Sequence, residues 1–417
     1  MTTKRWLGTA VAISDVWAVS LSGTVTSQTY SITINGKSIT YTASGTDTVG
    51  SVLGALISAW NASSIAEFME LTATGLPSAG PYTSLRLTGV TAGLPSTISA
   101  STTGGATFSI ANTVPATGPN DFKNVRNWSG GVAPGSSDHL VFDSGSVACL
   151  YGLNTTLTGV SLTIQSGYSG TIGLPAIHGN STSSSTYSEY RPLALTLAGG
   201  TVVINSPAIN RCNLAFGANL TDLRILATGR RIDSSVPAVL IVGGDSSSVL
   251  NLVSGDVGLA FYDGDTATFG TVNQTYSSNQ SSDTRLTCGS GVALTTINKS
   301  GGTLSISSNL TTLIQGQRGG VTTIHDGAIG LLDVQGGTII VNTTGTIDTI
   351  DVANDGVVNF DGDPRPKTVT NPIQCFGEKW SILDNQKVVN SGTLTVQLNR
   401  GVAMNAQHGA GSLVALT

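Results

Sequence analysis

A short repeat in the C-terminal half of this 417-residue chain restricts its fold more than any other feature. Four consecutive units begin 16, 19 and 18 residues apart, at Leu294, Leu310, Ile329 and Ile347. Each unit contains an apolar pair, a Gly-Gly or Asp-Gly turn and a second apolar strand. Because a unit this short cannot enclose a hydrophobic core alone, it must stack on copies of itself, and the repeat therefore predicts a solenoid.

The turns of these units indicate the kind of solenoid. They lie at Gly301-Gly302, Gly319-Gly320, Gly336-Gly337 and Asp355-Gly356, and weaker copies of the unit occur at 160–173 and 195–205. Glycine adopts positive φ at little steric cost, so these positions are expected to form corners. The units are too short for propeller blades and lack the helices of helical repeats. We therefore predict a parallel β-helix with rungs of about 18 residues, about 15 of them, forming a rod on the order of 70 Å long.

Composition supports a mainly β chain. Charged residues make up 10% of the sequence and hydrophobic residues 39%, a proportion that can bury a core and does not indicate disorder. The polar residues are mostly Ser, Thr and Asn, which suit strands better than helices. A net charge of −5 without a basic run argues against nucleic-acid binding. No apolar run is long enough to span a membrane as a helix.

The first segment, 1–115, has the pattern of a small α+β head domain. Residues 30–42 alternate apolar and polar side chains around Asn35-Gly36, which is a strong hairpin signal. A helix follows, capped by Thr46 or Asp47, and 69–74 and 84–90 are predicted strands. The apolar positions at helical spacing are Val49, Val52, Leu53, Leu56, Ile57 and Trp60.

The remaining domain boundaries follow from closely spaced prolines and glycines, which break regular structure, and from the repeat. Residues 116–145 are predicted to be a junction and cap, in which Trp128 plugs the open end and 140–142 form the first buried strand. The parallel β-helix is assigned to 146–370. Residues 371–417 are assigned to C-terminal rungs and a second cap that includes Trp380.

Residues able to carry chemistry are few, and none forms a known motif. Glycoside hydrolysis would need two carboxylates about 5–9 Å apart. The four glutamates are Glu67, Glu70, Glu189 and Glu378, and the acidic clusters are Asp256 with Asp263 and Asp265, and Asp333 with Asp348 and Asp351. We interpret the first cluster as a turn and the second as rung-corner residues that cap backbone groups. Both clusters remain alternative catalytic candidates.

Cysteine and histidine spacing indicates no metal or redox site. Four isolated cysteines, Cys149, Cys212, Cys288 and Cys375, are interpreted as core residues in a reducing compartment. The four histidines, His139, His178, His325 and His408, are interpreted as separate polar residues. Four tyrosines could either stack on sugars or partner subunits or pack at the corners of rungs: Tyr187, Tyr190, Tyr262 and Tyr276. We assign no catalytic, cofactor-binding or metal-binding residue and no cofactor.

Several segments resemble virion structural proteins of tailed bacteriophages that contain a β-helix. They are KRWLG (4–8), the hairpin and helix at 32–61, LYGL (150–153), IGLP (172–175) and YSEYRP (187–192). The segment 127–143 is similar to the strand-entry segment before β-helices in autotransporter-type adhesins. The resemblance implies a homotrimer on the virion surface, as capsid decoration or as a tail appendage, that contacts other virion proteins.

The expected function is therefore that of a non-enzymatic virion surface structural protein. Its head domain would attach it to the capsid or tail, and its β-helix would act as a rigid shaft. Two alternatives remain: a tailspike-type polysaccharide depolymerase or a receptor-binding adhesin, either of which would bind a host surface glycan. A bacterial surface adhesin is a third.

Overall fold

The computed structural model describes residues 2–180, 185–218, 220–230, 235–275, 284–376, 379–384, 388–389, 394–398, 406–408 and 414–416. The fold is mainly β, as the composition predicts. It contains an antiparallel head and a long parallel sheet of many strands, which we call the parallel array. The two parts have separate hydrophobic cores.

The N-terminal part contains eight strands and one α-helix among the described residues. The strands are β1 (Thr3–Arg5), β2 (Val16–Ser22), β3 (Thr29–Ile34), β4 (Lys37–Thr42), β5 (Leu71–Leu76), β6 (Ser84–Gly89), β7 (Ile98–Thr102) and β8 (Thr107–Val114). The helix α1 spans Val49–Asn61, and 3-10 turns lie at Phe68–Glu70 and Val125–Asn127.

The head, residues 16–114, packs α1 against two antiparallel sheets of order β5-β6-β2-β8 and β4-β3-β7. The predicted hairpin is confirmed, with Asn35 and Gly36 at φ of 49° and 72°. The predicted helix cap is wrong by one or two residues. Thr48 is the N-cap, because its hydroxyl accepts from the Ser51 backbone N–H while its own backbone N–H donates to the Ser51 hydroxyl oxygen.

The rest of the chain adds strands almost continuously, up to β37. The hairpin strands are β12 (Ile177–Gly179) and β13 (Thr186–Ser188), and the array strands up to residue 306 are β9 (His139–Gly145), β10 (Leu157–Thr158), β11 (Ser161–Tyr168), β14 (Leu195–Ala198), β15 (Gly200–Ser206), β16 (Cys212–Phe216), β17 (Leu220–Thr228), β18 (Val239–Gly243), β19 (Val249–Leu252), β20 (Gly255–Leu259), β21 (Ala267–Gln274), β22 (Thr284–Cys288), β23 (Val292–Lys299) and β24 (Thr303–Ile306). The later array strands are β25 (Leu310–Gln315), β26 (Val321–Ile324), β27 (Ile329–Val334), β28 (Thr338–Val341), β29 (Thr346–Ala353), β30 (Gly356–Asn359), β31 (Lys367–Val369), β32 (Ile373–Phe376), β33 (Trp380–Asp384), β34 (Val388–Val389), β35 (Leu394–Leu398), β36 (Ala406–His408) and β37 (Val414–Leu416).

Through most of the array each strand pairs in parallel with the strand two positions later along the chain. The four repeat starts form one column, because Leu294 pairs with Leu310, Leu310 with Ile329 and Ile329 with Ile347. All four side chains are buried. The predicted stacking of successive units is therefore confirmed for this column, and the pairing pattern is consistent with a β-helix or solenoid.

Glycines stack at one corner of these units. Gly302, Gly320 and Gly337 adopt φ of 72°, 64° and 70°, so the second glycine of each pair takes the left-handed conformation. A Cβ on Gly320 would collide with the carbonyl oxygen of Gly302 on the preceding unit. In the fourth unit Asn354, with φ of 51°, takes the left-handed conformation.

The chain begins in the array and not in the head. Strand β1 pairs in parallel with β9, which also pairs with β11, so β1 precedes β9 in the array. The predicted buried strand at 140–142 is confirmed within β9. Residues 3–6, which we assigned to the head, therefore lie with the array. The three-residue strand TKR has no apolar periodicity, so its position could not be read from the sequence.

Aromatic side chains close this end of the array core. Trp6 contacts Trp128 at 5.1 Å and Phe142 at 5.6 Å between ring centroids. The Trp128 indole N–H donates to the Phe122 carbonyl at 2.7 Å. Trp128 therefore occupies the position expected of a plug.

At the other end the array continues past residue 370. Trp380 is buried and pairs with Gly356, so it belongs to a strand of the array. Strands up to Val414–Leu416 remain in parallel pairing. The residues between these last strands lie outside the described part of the chain, as does most of the predicted second cap.

Candidate functional site at the junction of head and array

A loop that leaves the array reaches the head. This loop, residues 173–192, contains the hairpin β12–β13. The Asn180 amide donates to the Ala66 carbonyl at 2.6 Å, and the Asn35 amide donates to the Ser188 carbonyl at 3.3 Å. The head and the array therefore meet through direct side-chain contacts.

Buried charges cross this contact. The Arg191 guanidinium donates to Glu70 Oε2 at 2.8 Å and to Glu189 Oε2 at 2.9 Å, so it joins a head carboxylate to a loop carboxylate. Its Nε donates to the Pro95 carbonyl of the head at 2.7 Å. The side chains of Arg191, Glu70 and Glu189 are at most 4% exposed.

His178 completes the group, which we call the junction cluster: Glu70, His178, Tyr187, Glu189 and Arg191. His178 Nδ1 lies 3.0 Å from Glu189 and Nε2 lies 3.3 Å from Glu70. The Tyr187 hydroxyl donates to Glu70 at 2.6 Å. Hydrogen bonds to Glu189 and Glu70 raise the pKa of His178 to about 9, so the cluster holds two cations and two anions at neutral pH.

The charges of the junction cluster suit an ion-pair contact between the head and the loop. Burial raises the pKa of Glu189, but the hydrogen bond from His178 and the charge of Arg191 outweigh it, so the net pKa lies below the usual value. A general acid for glycoside hydrolysis needs a raised pKa and access to substrate. Glu189 is buried and ionised, and it therefore suits an ion-pair partner.

No sequence pattern predicted this cluster. Glu67 lies beside it, where it accepts from Asn35 and Lys37 at 2.8 Å each. Three of the four glutamates, Glu67, Glu70 and Glu189, are therefore near the junction, and Glu378 lies outside the described residues. The available signal was YSEYRP, a dense group of charged and aromatic residues in a chain with 10% charged residues.

A cleft of about 350 Å³ opens beside the junction cluster, and we call it the junction cleft. Head, junction and loop all contribute to its walls. It is lined by Pro95, Thr97, Pro115, Ala116, Asp121, Lys123, Leu150, Tyr151, Gly152, Asn154, Tyr190, Arg191 and Pro192. Burial raises the pKa of Tyr151 and of Tyr190 to about 12, so both phenols are neutral at physiological pH.

The polar groups of the junction cleft hold one another in place. Asp121 accepts from the Thr117 hydroxyl at 2.8 Å and from the Lys123 backbone N–H at 2.9 Å. The Lys123 ammonium donates to Asn154 Oδ1 at 2.8 Å. The Arg191 guanidinium lies over the Tyr190 ring, 4.6 Å from its centroid.

One outer face of the array carries a ladder of asparagines. The amides of Asn273 and Asn298 each donate at 2.9 Å to the asparagine of the preceding strand, Asn251 and Asn273 respectively. Asn251 donates in the same way to Asp222 at 2.9 Å. The ladder satisfies side-chain amides across neighbouring strands, which suits a structural role.

The predicted acidic clusters lie at separate places. Asp333 and Asp351 are register partners on adjacent strands, and burial together with the charge of Asp333 raises the pKa of Asp351. Asp348 is outside this column and accepts from the Thr370 hydroxyl at 3.1 Å. Asp265 accepts from the Tyr262 backbone N–H at 3.3 Å, within a turn.

Asp256 and Asp263 lie near that turn in sequence. Asp256 is a buried residue of β20 that pairs in register with Arg285, and Asp263 precedes Gly264, which has φ of 87°. The structure therefore brings together Asp333 and Asp351 but not the other predicted carboxylates.

The other predicted residues are dispersed. His139 Nε2 lies 2.9 Å from the Thr163 hydroxyl, and His325 is an exposed residue after β26. Tyr187 is buried in the junction cluster, whereas Tyr190 lines the junction cleft. Tyr276 and the side chain of His408 lie outside the described part of the chain.

All four cysteines are buried, in agreement with their interpretation as core residues. Among the described residues, no group of three or more His, Cys, Asp or Glu side chains is arranged to hold a metal ion. Within the same ranges, no helix has the length and apolar character needed to cross a membrane. No protein-family model, curated protein or solved structure matches this chain.

Proposed function

We propose that the parallel array closes into a β-helix with coils of about 18 residues and that the protein is a rigid, non-enzymatic projection. The column from Leu294 to Ile347 and the glycine corner at Gly302, Gly320 and Gly337 support closure. Parallel pairing along the array satisfies backbone groups except at its two ends, which gives a stiff shaft.

The observation that carries this function is the buried ionic contact between head and array. A head joined by a flexible linker would swing independently, whereas Arg191 ties Glu70 of the head to Glu189 of the loop. A head held in this way keeps the shaft in a fixed orientation relative to the site at which the head attaches. Following the resemblance, we place the protein on the surface of a tailed-bacteriophage virion, as capsid decoration or tail appendage, in a homotrimer.

Microscopy and sedimentation test the architecture and the oligomer. Negative-stain images of the purified protein should show a rod on the order of 70 Å long with a head fixed at one end. Sedimentation equilibrium should give a mass of three chains. A compact particle would refute the shaft, and a monomer would refute the trimer alone.

Labelling of particles tests the location. Antibody raised against the purified protein should decorate intact virions of the phage that carries its gene, on the capsid or on the tail. Particles that contain no reactive chain would refute the virion assignment while leaving the rod architecture intact.

The junction cleft favours one second candidate, a polysaccharide-binding tailspike or receptor-binding adhesin. Incubation of the protein with host capsule or lipopolysaccharide distinguishes a tailspike that cleaves the polysaccharide from an adhesin that only binds it. New reducing ends would show a depolymerase and would refute the non-enzymatic assignment. Binding without new reducing ends would indicate an adhesin.

A further inference from the structure

We propose that the junction cleft binds a neutral saccharide residue. Its volume of about 350 Å³ lies at the lower end of the range for small-ligand pockets. Its lining combines tyrosine and proline side chains with a few polar groups, and such polar groups usually orient a ligand in a pocket. The proposal stands on the geometry of the cleft and does not rest on the virion assignment.

The ring faces suit the C–H face of a sugar. Tyr151 and Tyr190 contribute aromatic rings, and Pro95, Pro115 and Pro192 contribute saturated rings. Aromatic side chains offer a large apolar surface with a polar tip at small entropic cost. Because Arg191 lies against Tyr190, that ring is fixed before any ligand arrives.

The polar groups suit hydroxyls, which both donate and accept hydrogen bonds. Asp121 offers acceptors, Lys123 offers donors and Asn154 offers both. These side chains are positioned by the bonds from Thr117 to Asp121 and from Lys123 to Asn154. Ligand binding would therefore order few additional side chains, which limits its entropic cost.

The charge balance selects a neutral ligand over an anion. Lys123 and Asp121 carry opposite charges in the same lining. The Arg191 charge is already compensated by Glu70 and Glu189. The Asp121 carboxylate would repel an anion that approaches Lys123, so a phosphorylated or acidic ligand gains little from these groups.

The lining also depends on a glycine. Gly152 has φ of 71°, and a Cβ at this position would collide with Asp121 Oδ1 and approach Lys123 Cγ to 3.1 Å. Glycine therefore lets the backbone pass close to the two charged groups.

Saturation-transfer NMR with the full chain tests the proposal. The neutral probes are the methyl glycosides of glucose, galactose and N-acetylglucosamine, and the anionic probes are glucuronate and inorganic phosphate, the last followed by ³¹P line width. At least one neutral probe should receive saturation, and Lys123→Met should weaken its binding by about fivefold, the size of one lost hydrogen bond.

Two tryptophan substitutions provide the matched control. Thr97 is exposed at the cleft, so Thr97→Trp should abolish the signal by filling the space. Thr295 is an exposed strand residue of the array, so Thr295→Trp should leave the signal unchanged. Equal melting temperatures would show that both variants fold.

Three results would overturn the proposal: no neutral probe binds, binding survives Thr97→Trp, or only glucuronate and phosphate bind. Each result is independent of whether the chain occurs on a virion.

Discussion

Replacing Lys299 by methionine should stabilise the protein at neutral pH. The Lys299 side chain is 2% exposed inside the array, and its ammonium donates to Gln315 Oε1 at 3.2 Å. No ion pair of Lys299 is found among the described residues. Burial lowers its pKa from 10.5 to about 7. Methionine has a similar length and no charge, so it should fill the same space.

The expected magnitude follows from the pKa of Lys299. Between pH 7 and 10.5 the unfolded chain binds more protons at this site than the folded chain, so stability rises with pH. Each pH unit is worth about 1.4 kcal/mol. Burial of Lys299 thus costs about 4 kcal/mol at pH 7, and the variant loses about 1 kcal/mol with the bond to Gln315. Lys299→Met should gain about 3 kcal/mol at pH 7 and about 1 kcal/mol at pH 9.

Urea unfolding followed by circular dichroism at pH 7, 8 and 9 measures this difference. Subtracting the wild type from the variant is necessary because His178 contributes with the opposite sign in the same pH range. Lys367→Met is the matched control, since Lys367 is equally buried but is paired with Asp363. It should destabilise the protein by removing the buried partner of Asp363 and leaving that carboxylate paired with the exposed Arg365 side chain. A Lys299→Met gain that is absent or does not shrink from pH 7 to pH 9 would refute the reasoning.

Four further predictions concern the junction cluster, the corner and the thiols. Arg191→Met removes one of the two buried cations that Glu70 and Glu189 share, and it should cost about 3–5 kcal/mol in urea unfolding. Arg365→Met, at an exposed pair, should cost under about 1 kcal/mol. The His178 ring should titrate by NMR near pH 9, and a midpoint near 6.5 would contradict the ion pairing. Because the pKa in the folded protein is raised from 6.5, the stabilisation by His178 is complete below pH 6.5 and is lost as pH rises through 9. Gly320→Ala should lower the melting temperature by several degrees because of its φ of 64° and the Gly302 carbonyl, while Gly45→Ala, with open space around it, should not. All four cysteines are buried, so they should resist a thiol reagent in the folded protein and react after unfolding. Burial also raises the pKa of Cys212, Cys288 and Cys375 to about 12, which disfavours the reactive thiolate. Fast reaction of the folded protein would place a thiol at the surface.

The repeat by itself was enough to predict stacked parallel strands. Leu294, Leu310, Ile329 and Ile347 were aligned by spacing alone, and they are register partners in the structure. Stacked units contact only their neighbours, so their pattern is local and is repeated in the sequence. The Asn35-Gly36 hairpin was predictable for the same reason, because its signal lies within a few residues.

The sequence could not place β1 or the junction cluster. Thr3–Arg5 joins residues more than 130 positions away, and Glu70 meets Arg191 across 121 positions. No periodic pattern marks such single contacts, and the hydrogen bond to Glu70 that helps to raise the pKa of His178 exists only once the head docks on the loop. Local and repeated interactions were therefore determined by the sequence, whereas contacts between distant segments, and the cleft that they enclose, were decided by tertiary structure.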